Sequence, residues 1–324
     1  MRVLDRRTVE GLLDRDALVA AAADAMADLS LGRASVPPRI AARVDQTRLL
    51  ATMPAYSQTL GVLAAKLLTV YVENEASGFP VHQAAIAVFD PENGQILALM
   101  DGDAITAART AACSALSVRL LARPESRVLA VLGTGPQARA HARYAAPMLP
   151  FEEIRLGGRN PAKVAALADE LAAEGLPVRG CGVDEAIADA DVVCAATSAI
   201  EPVLRQGSAP PGTHIASVAY LPNGREVEAA LLLGSLIVVE HRATALQPFP
   251  SGSNDLVELV DSGALHTDDL VEIGELVAGR RPGRRDAHQL TVYKSVGVAV
   301  QDAAAAAVVL SAATRAGVGV EVAL

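Results

Sequence analysis

A chain of 324 residues, 51% apolar and with a net charge of −9, can bury two cores without difficulty. The acidic balance excludes a nucleic-acid surface, since phosphate binding needs a concentrated basic footprint, and leaves a small metabolite as the partner to expect. Cys113, Cys181 and Cys194 share no Cys-x-x-Cys spacing and the histidines are scattered, so neither a disulfide framework nor a metal site is expected.

The first sixteen residues, MRVLDRRTVEGLLDRD, are charged throughout and lack the apolar stretch of a signal peptide. No run reaches the ~20 apolar residues that span a bilayer, so a soluble, cytoplasmic protein without membrane contact is expected. Apolar positions at helical spacing fill residues 8–31, and Gly32 follows as a stop. RIAARV, LLATMPA, AAKLLTVYV and AAIAVFD then read as strands divided by turn signals such as DPENGQ. This β-rich first lobe leads into a helix over residues 104–122, ended by Pro124. Next comes SRVLAVLGTGPQARAHARYA, a short apolar strand that runs through glycines into a helix. EIRLGG, DVVCAAT, THIASVA and SLIVVE follow as strands, with helical stretches at 161–174, 183–189 and 226–233. Such alternation predicts a parallel sheet covered on both faces. Residues 291–317 read as one last apolar helix returning to the first lobe. The fold expected is α/β: a Rossmann-type doubly wound domain over 116–290, plus a discontinuous α+β domain formed by 1–115 and completed by 291–324.

Within GTGPQA, Gly133-x-Gly135-x-x-Ala138 has the strand before it and the helix after it that a dinucleotide loop requires. Gly133 permits the tight turn, Gly135 lets a pyrophosphate approach the backbone, and Ala138 allows close helix–strand packing. The second strand ends LGGRNP, with Gly158 where NAD sites usually carry an acid and with Arg159 and Asn160 just beyond. An arginine and no carboxylate suits a 2′-phosphate, so NADPH is the expected cofactor and NADH the second choice.

Only three lysines occur, Lys66, Lys163 and Lys294, and Lys66 stands inside the apolar run LAAKLLTVYV. Arg39 opens a strand after VPP, and Arg109 lies among small residues in TAARTAACSA, which suggests a packed position. Three cations in apolar surroundings are costly unless an anion meets them. The chain could supply it, Asp101 and Asp103 being the nearest candidates; otherwise it arrives as a substrate carboxylate.

MPAY (53–56), AKLLTVY (65–71), HQAAIAVFDPENGQILALMDGDAITAARTAACSA (82–115), GTGPQA, HIASVAYLPNGREV (214–227) and TVYKSVGVAVQD (291–302) together resemble the ornithine cyclodeaminase / mu-crystallin family over nearly the whole chain. The resemblance implies a homodimeric two-domain enzyme whose first lobe supplies dimer contacts and substrate ligands while the second binds NAD(P). It implies that Arg39, Lys66 and Arg109 bind the substrate carboxylate at the nicotinamide, with Lys66 the candidate acid. It also assigns Gly133, Thr134, Gly135, Gln137 and Ala138 to the pyrophosphate loop. Arg159 and Asn160 go to the adenosine ribose, Thr197 to the dinucleotide, Ser217 and Val218 to the nicotinamide side, and Ser295 to the KSVG turn. His82 and Gln83 match a His-Gln pair of the ketimine-reductase branch, which makes His82 a substrate-site candidate beside its ordinary structural reading.

Where ornithine cyclodeaminase resembles GGDCPGK with its catalytic aspartate, this chain reads AYLPNGREV, and Tyr220, Leu221 and Pro222 offer no carboxylate. Deaminating cyclisation needs a base there. Ala216 and Gln301 depart more mildly from the usual HIN and ED patterns. The expectation is reduction of the C=N bond of a small cyclic ketimine carboxylate. A cyclodeaminase, an alanine- or opine-type dehydrogenase, and a non-catalytic NADP-binding relative stand as alternatives.

Overall fold

Along the strand Val62–Tyr71, Val62, Ala64, Lys66 and Leu68 are covered while the residues between them are open or half-open. That period of two is the mark of a sheet packed on one face. The structure is a computed structural model that describes residues 1–219, 224–248 and 251–323. Among these, the first sheet runs Val320–Glu321, Arg2–Leu4, Ile96–Asp101, His82–Phe89, Val62–Tyr71, Arg48–Ser57, Ala34–Ser35, with Ile40–Arg43 also paired to Arg48–Ser57. Its covered face lies under the helix Ala299–Ala316, which also packs on Arg15–Ser30. The amphipathic stretch at 8–31 is two helices rather than one, Arg6–Leu12 and Arg15–Ser30. The Asp14 carboxylate accepts from Ala17 N at 2.8 Å and starts the second helix, a better use of an aspartate than a helix interior.

The second sheet is parallel throughout, in the order Val178–Cys181, Glu153–Gly157, Val128–Leu132, Val192–Ala195, His214–Ser217, Leu290–Lys294, Ser235–Val239, Val271–Glu272. Strand order reverses at Val128–Leu132, and ligands of such sheets bind beyond the strand ends at that switch point.

The last segment departs from expectation. Residues 291–317 are not one helix: Leu290–Lys294 is a strand, and only Ala299–Ala316 is helical. Thr291, Val292 and Tyr293 favour a pleated strand, and Leu290–Lys294 lies between His214–Ser217 and Ser235–Val239. Two compact units result, Met1–Arg109 with Gly297–Leu324, and Thr110–Val296. The expected boundaries at 115/116 and 290/291 therefore move to 109/110, inside the helix Gly102–Leu121, and to 296/297, after the inserted strand.

Candidate active site

In the first unit, Lys66 sits on the covered face of its strand between Met53 and Ile86 of the neighbouring strands and is 2% exposed. Its ammonium donates to Thr106 Oγ1 at 2.5 Å and to Asp302 Oδ1 at 3.4 Å. The Thr106 hydroxyl in turn donates to the Gly102 carbonyl oxygen at 2.6 Å. Arg109 donates from Nε to the same Asp302 Oδ1 at 3.1 Å and from its guanidinium to Gln301 Oε1 at 2.6 Å. Gly297, at φ +77°, makes room for that guanidinium: a Cβ there would lie 2.6 Å from one of its nitrogens. Arg39, half-buried before its strand, acts on both Lys66 and Asp302 through its charge.

The electrostatics follow from burial and count. Burial pushes the Lys66 ammonium down to about 8, with Arg109 and Arg39 adding to the effect and Asp302 opposing it. Burial would raise the Asp302 carboxyl, but Arg109, Lys66 and Arg39 outweigh it and hold the group below its ordinary range. Lys66 and Arg109 therefore both bond to this one carboxylate, and the Arg39 charge acts on it as well. Asp302 Oδ2 is buried and has no hydrogen-bond partner among the described residues.

The anion that the chain supplies is thus Asp302 and not Asp101 or Asp103. Asp101 begins the helix Gly102–Leu121 by accepting from Ala104 N at 2.8 Å. Asp103 faces Arg6 at 3.0 Å and His82 Nδ1 at 2.7 Å. His82 is therefore oriented by a carboxylate and lies on the same sheet face as Lys66, since His82 opposes Val70 as Ile86 opposes Lys66. Asp103, Thr106 and Arg109 follow at three-residue spacing on one helix, so a single helical face carries the partners of His82, Lys66 and Asp302.

In the second unit, Gly133 adopts φ +121°, and a Cβ there would stand 2.5 Å from the Ala196 carbonyl oxygen, so only glycine fits. Nothing lies within 4 Å of the Cβ position of Gly135, which begins the helix Pro136–Ala145 with no side-chain cap on its first turn. Thr134 lies between the two glycines. Open space at uncapped N–H groups after a switch-point strand is what a pyrophosphate requires, and Gln137 Oε1 is buried there without a partner among the described residues. Ala138 is fully buried. His141 anchors this helix: burial pushes its ring down to about 4, so it is neutral, with Nδ1–H donating to the Gln137 carbonyl oxygen and Nε2 accepting from Ser114. A Cβ on Gly158 would stand 2.8 Å from a side-chain methyl of Val164 and 3.1 Å from that of Thr134, so an acid where NAD sites carry one would have to displace these side chains. Arg159 is exposed beyond it, while the Asn160 side chain caps the helix Pro161–Ala173 through Lys163 N.

Thr197, Ser217, Val218 and Ser295 fall at strand ends of the same sheet, but their polar groups are largely engaged. A fully buried Glu226 accepts from Thr197 N at 2.8 Å, Ser217 Oγ at 2.9 Å and Ala219 N at 3.0 Å. Lys294 donates to Asp255 at 2.9 Å, Ser217 Oγ at 3.0 Å and the Ala219 carbonyl oxygen at 3.3 Å. Val218 N donates to the Ala195 carbonyl oxygen, and Ser295 Oγ to Glu240 at 2.5 Å. Glu226, Asp255, Glu240 and Lys294 escaped the sequence reading, as did the pairing of Asp302. The scarcity of lysine could have singled out Lys294 as it did Lys66. Tyr220, Leu221 and Pro222, where the missing aspartate was sought, lie outside the described residues.

Residues 1–316 match the model of the ornithine cyclodeaminase/mu-crystallin family. The chain belongs to that family. The mouse (Mus musculus) ketimine reductase mu-crystallin is 38% identical over 262 residues, 80% of this chain and 79% of that protein. A Δ1-pyrroline-2-carboxylate reductase of Bacillus cereus is 30% identical over 98% of both chains. The structure of the Thermococcus litoralis Δ1-pyrroline-2-carboxylate reductase, in complex with NADH and L-proline, superposes with a TM-score of 0.92 at 31% identity, covering 99% of this chain and 100% of that one. Like other enzymes of the ornithine cyclodeaminase/mu-crystallin family named here, the chain is an NAD(P)-dependent oxidoreductase.

Proposed function

We propose that the protein reduces the C=N bond of a small cyclic ketimine carboxylate, Δ1-pyrroline-2-carboxylate or Δ1-piperideine-2-carboxylate, to the cyclic amino acid, with NADPH as the preferred reductant. The observation that carries this reading is the concentration of positive charge at Asp302 among the described residues: the buried Lys66 and Arg109 both donate to it, and the half-buried Arg39 acts on it through its charge. A substrate carboxylate brings the second negative charge, and one positive charge is then in surplus. Transfer of the Lys66 proton to the imine nitrogen moves that charge onto the substrate as an iminium, where an arriving hydride cancels it. Reduced nicotinamide supplies a hydride, which adds to the imine carbon. Arg39, Lys66 and Arg109 hold the carboxylate so that this carbon is presented in one orientation. Lys66 supplies the proton that the imine nitrogen gains. A lysine pushed down to about 8 is a competent acid near neutrality, whereas an ordinary one holds its proton too tightly.

The relatives named for ketimine and Δ1-pyrroline-2-carboxylate reduction, and the likeness to a structure holding NADH and L-proline, support the reading. NADPH preference rests on Gly158 and the exposed Arg159. A homodimer is the expected assembly. Ile40 and Phe79 are each 66% exposed, and Leu50 and Leu67 add to an apolar area of the first unit that a second copy would cover. The test is nicotinamide oxidation with each ketimine and each cofactor. Turnover with neither ketimine, together with ammonia release from ornithine, would replace this reading with cyclodeamination.

A further inference from the structure

We propose that Asp302 is itself a substrate ligand, whose oxygen Oδ2 accepts the N–H of the iminium, once Lys66 has passed its proton to the ring nitrogen, or of the product amine, and so selects nitrogen over oxygen beside the substrate carboxylate. The inference rests on the reductase reading above and adds a determinant of substrate class to it. Asp302 is 1% exposed, and a single oxygen, Oδ1, receives both Arg109 Nε at 3.1 Å and Lys66 Nζ at 3.4 Å. The other oxygen is buried with no hydrogen-bond partner among the described residues. A buried carboxylate oxygen left without a donor is costly, more so than a neutral acceptor.

The surrounding groups are committed elsewhere. From the helix Gly102–Leu121, the Thr106 hydroxyl donates to the Gly102 carbonyl oxygen, and Arg109 also donates to Gln301 Oε1. From the helix Ala299–Ala316, Gln301 uses that oxygen to accept from both Arg109 and Val298 N. Lys66 comes from the strand Val62–Tyr71, and the Arg39 charge acts from just before its own strand. The cations that would hold a substrate carboxylate are the same ones that hold Asp302. A protonated cyclic imine or an α-amino acid carries its N–H on the atom bonded to its carboxylate-bearing carbon, so a carboxylate bound by this cluster brings a donor to the neighbourhood of Oδ2. An α-keto acid, or a ring with oxygen in place of nitrogen, brings a lone pair there instead. Sites built around a substrate N–H discriminate far more strongly than apolar pockets do, because the mismatch leaves a buried group unpaired.

The test measures binding to the protein saturated with NADP⁺, by calorimetry, of L-proline and of tetrahydrofuran-2-carboxylate, in which ring oxygen replaces the N–H. The wild type should prefer proline by roughly 100-fold, within the range that hydrogen-bonded specificity reaches. In Asp302→Asn the amide oxygen stays with Arg109 and Lys66 and the NH2 takes the place of Oδ2. The preference should therefore shrink at least about tenfold, with binding of the ether maintained or improved, since a charged-acceptor hydrogen bond is lost for one ligand only. Equal weakening of both ligands would show that Asp302 merely holds Arg109 and Lys66, and would overturn the inference. So would a wild type that binds the two ligands equally, a result that needs no variant to fold and leaves the reductase reading standing. A wild type that binds neither would overturn both.

Discussion

Lys66 and Lys294 are buried to the same degree, 2% and 1% exposed, in different units of the chain, and they illustrate two uses of an interior charge. Lys294 meets three acceptors, Asp255, Ser217 Oγ and the Ala219 carbonyl oxygen, which matches its three protons. Around it, Glu226 and Asp255 are filled by backbone and hydroxyl donors. Lys66 meets two acceptors, shares one of them with Arg109, and faces a carboxylate with an orphan oxygen. The first cluster is complete as folded; the second carries surplus charge and spare hydrogen-bonding capacity. Burial of charge is thus poor evidence of function, and its imbalance is better evidence.

Removing each lysine separates the two. Lys66→Met should lower kcat/KM for ketimine reduction by about 10³-fold, the scale of a lost general acid with its carboxylate ligand, while the melting temperature stays close to wild type because Asp302 keeps Arg109. Lys294→Met should do the reverse: it strands Asp255 in the interior and should cost about 3–5 kcal/mol in denaturant-induced unfolding. A Lys66→Met protein as unstable as Lys294→Met would make Lys66 a structural residue and break the comparison.

Titration sharpens it. With Lys66 as the acid, kcat/KM should fall about tenfold per pH unit above the value of about 8, and the Lys66→Met variant should lack that limb. Stability has the opposite slope. Between about 8 and the ordinary lysine value of 10.5 the unfolded chain holds a proton that the native chain has released, so this group makes unfolding harder as pH rises through that window. Unfolding measured at several pH values in wild type and Lys66→Met isolates the difference. The smallest effect belongs to the exposed Arg159: Arg159→Ser should weaken NADPH by several-fold, about 1 kcal/mol, and leave the NADH KM unchanged.

Local patterns made much of this legible from sequence. The Gly133 loop follows from glycine spacing, the parallel sheet from alternating strand and helix segments, and the covered position of Lys66 from the apolar run around it, all of them patterns between near neighbours in the chain. The strand Leu290–Lys294 was hidden because a short apolar run beside a long apolar helix has no period of its own to declare it. Asp302 lies 236 positions from Lys66 and 193 from Arg109, and no spacing rule links residues so far apart. Asp101 and Asp103 were the nearer acids in sequence, but helix capping and His82 claimed them first.

The placement of Leu290–Lys294 also bears on how the polypeptide reaches this state as it is made. A central strand of the second sheet is encoded after both of its neighbours, so from residue 239 until residue 294 leaves the ribosome those strands have a missing partner between them. The first unit waits longer still, because the helix that covers its sheet ends at residue 316. During synthesis both cores stand half-built at the same time, with apolar strand edges waiting for late arrivals. Slow translation or truncation before residue 290 should therefore yield aggregate rather than a folded fragment of either unit.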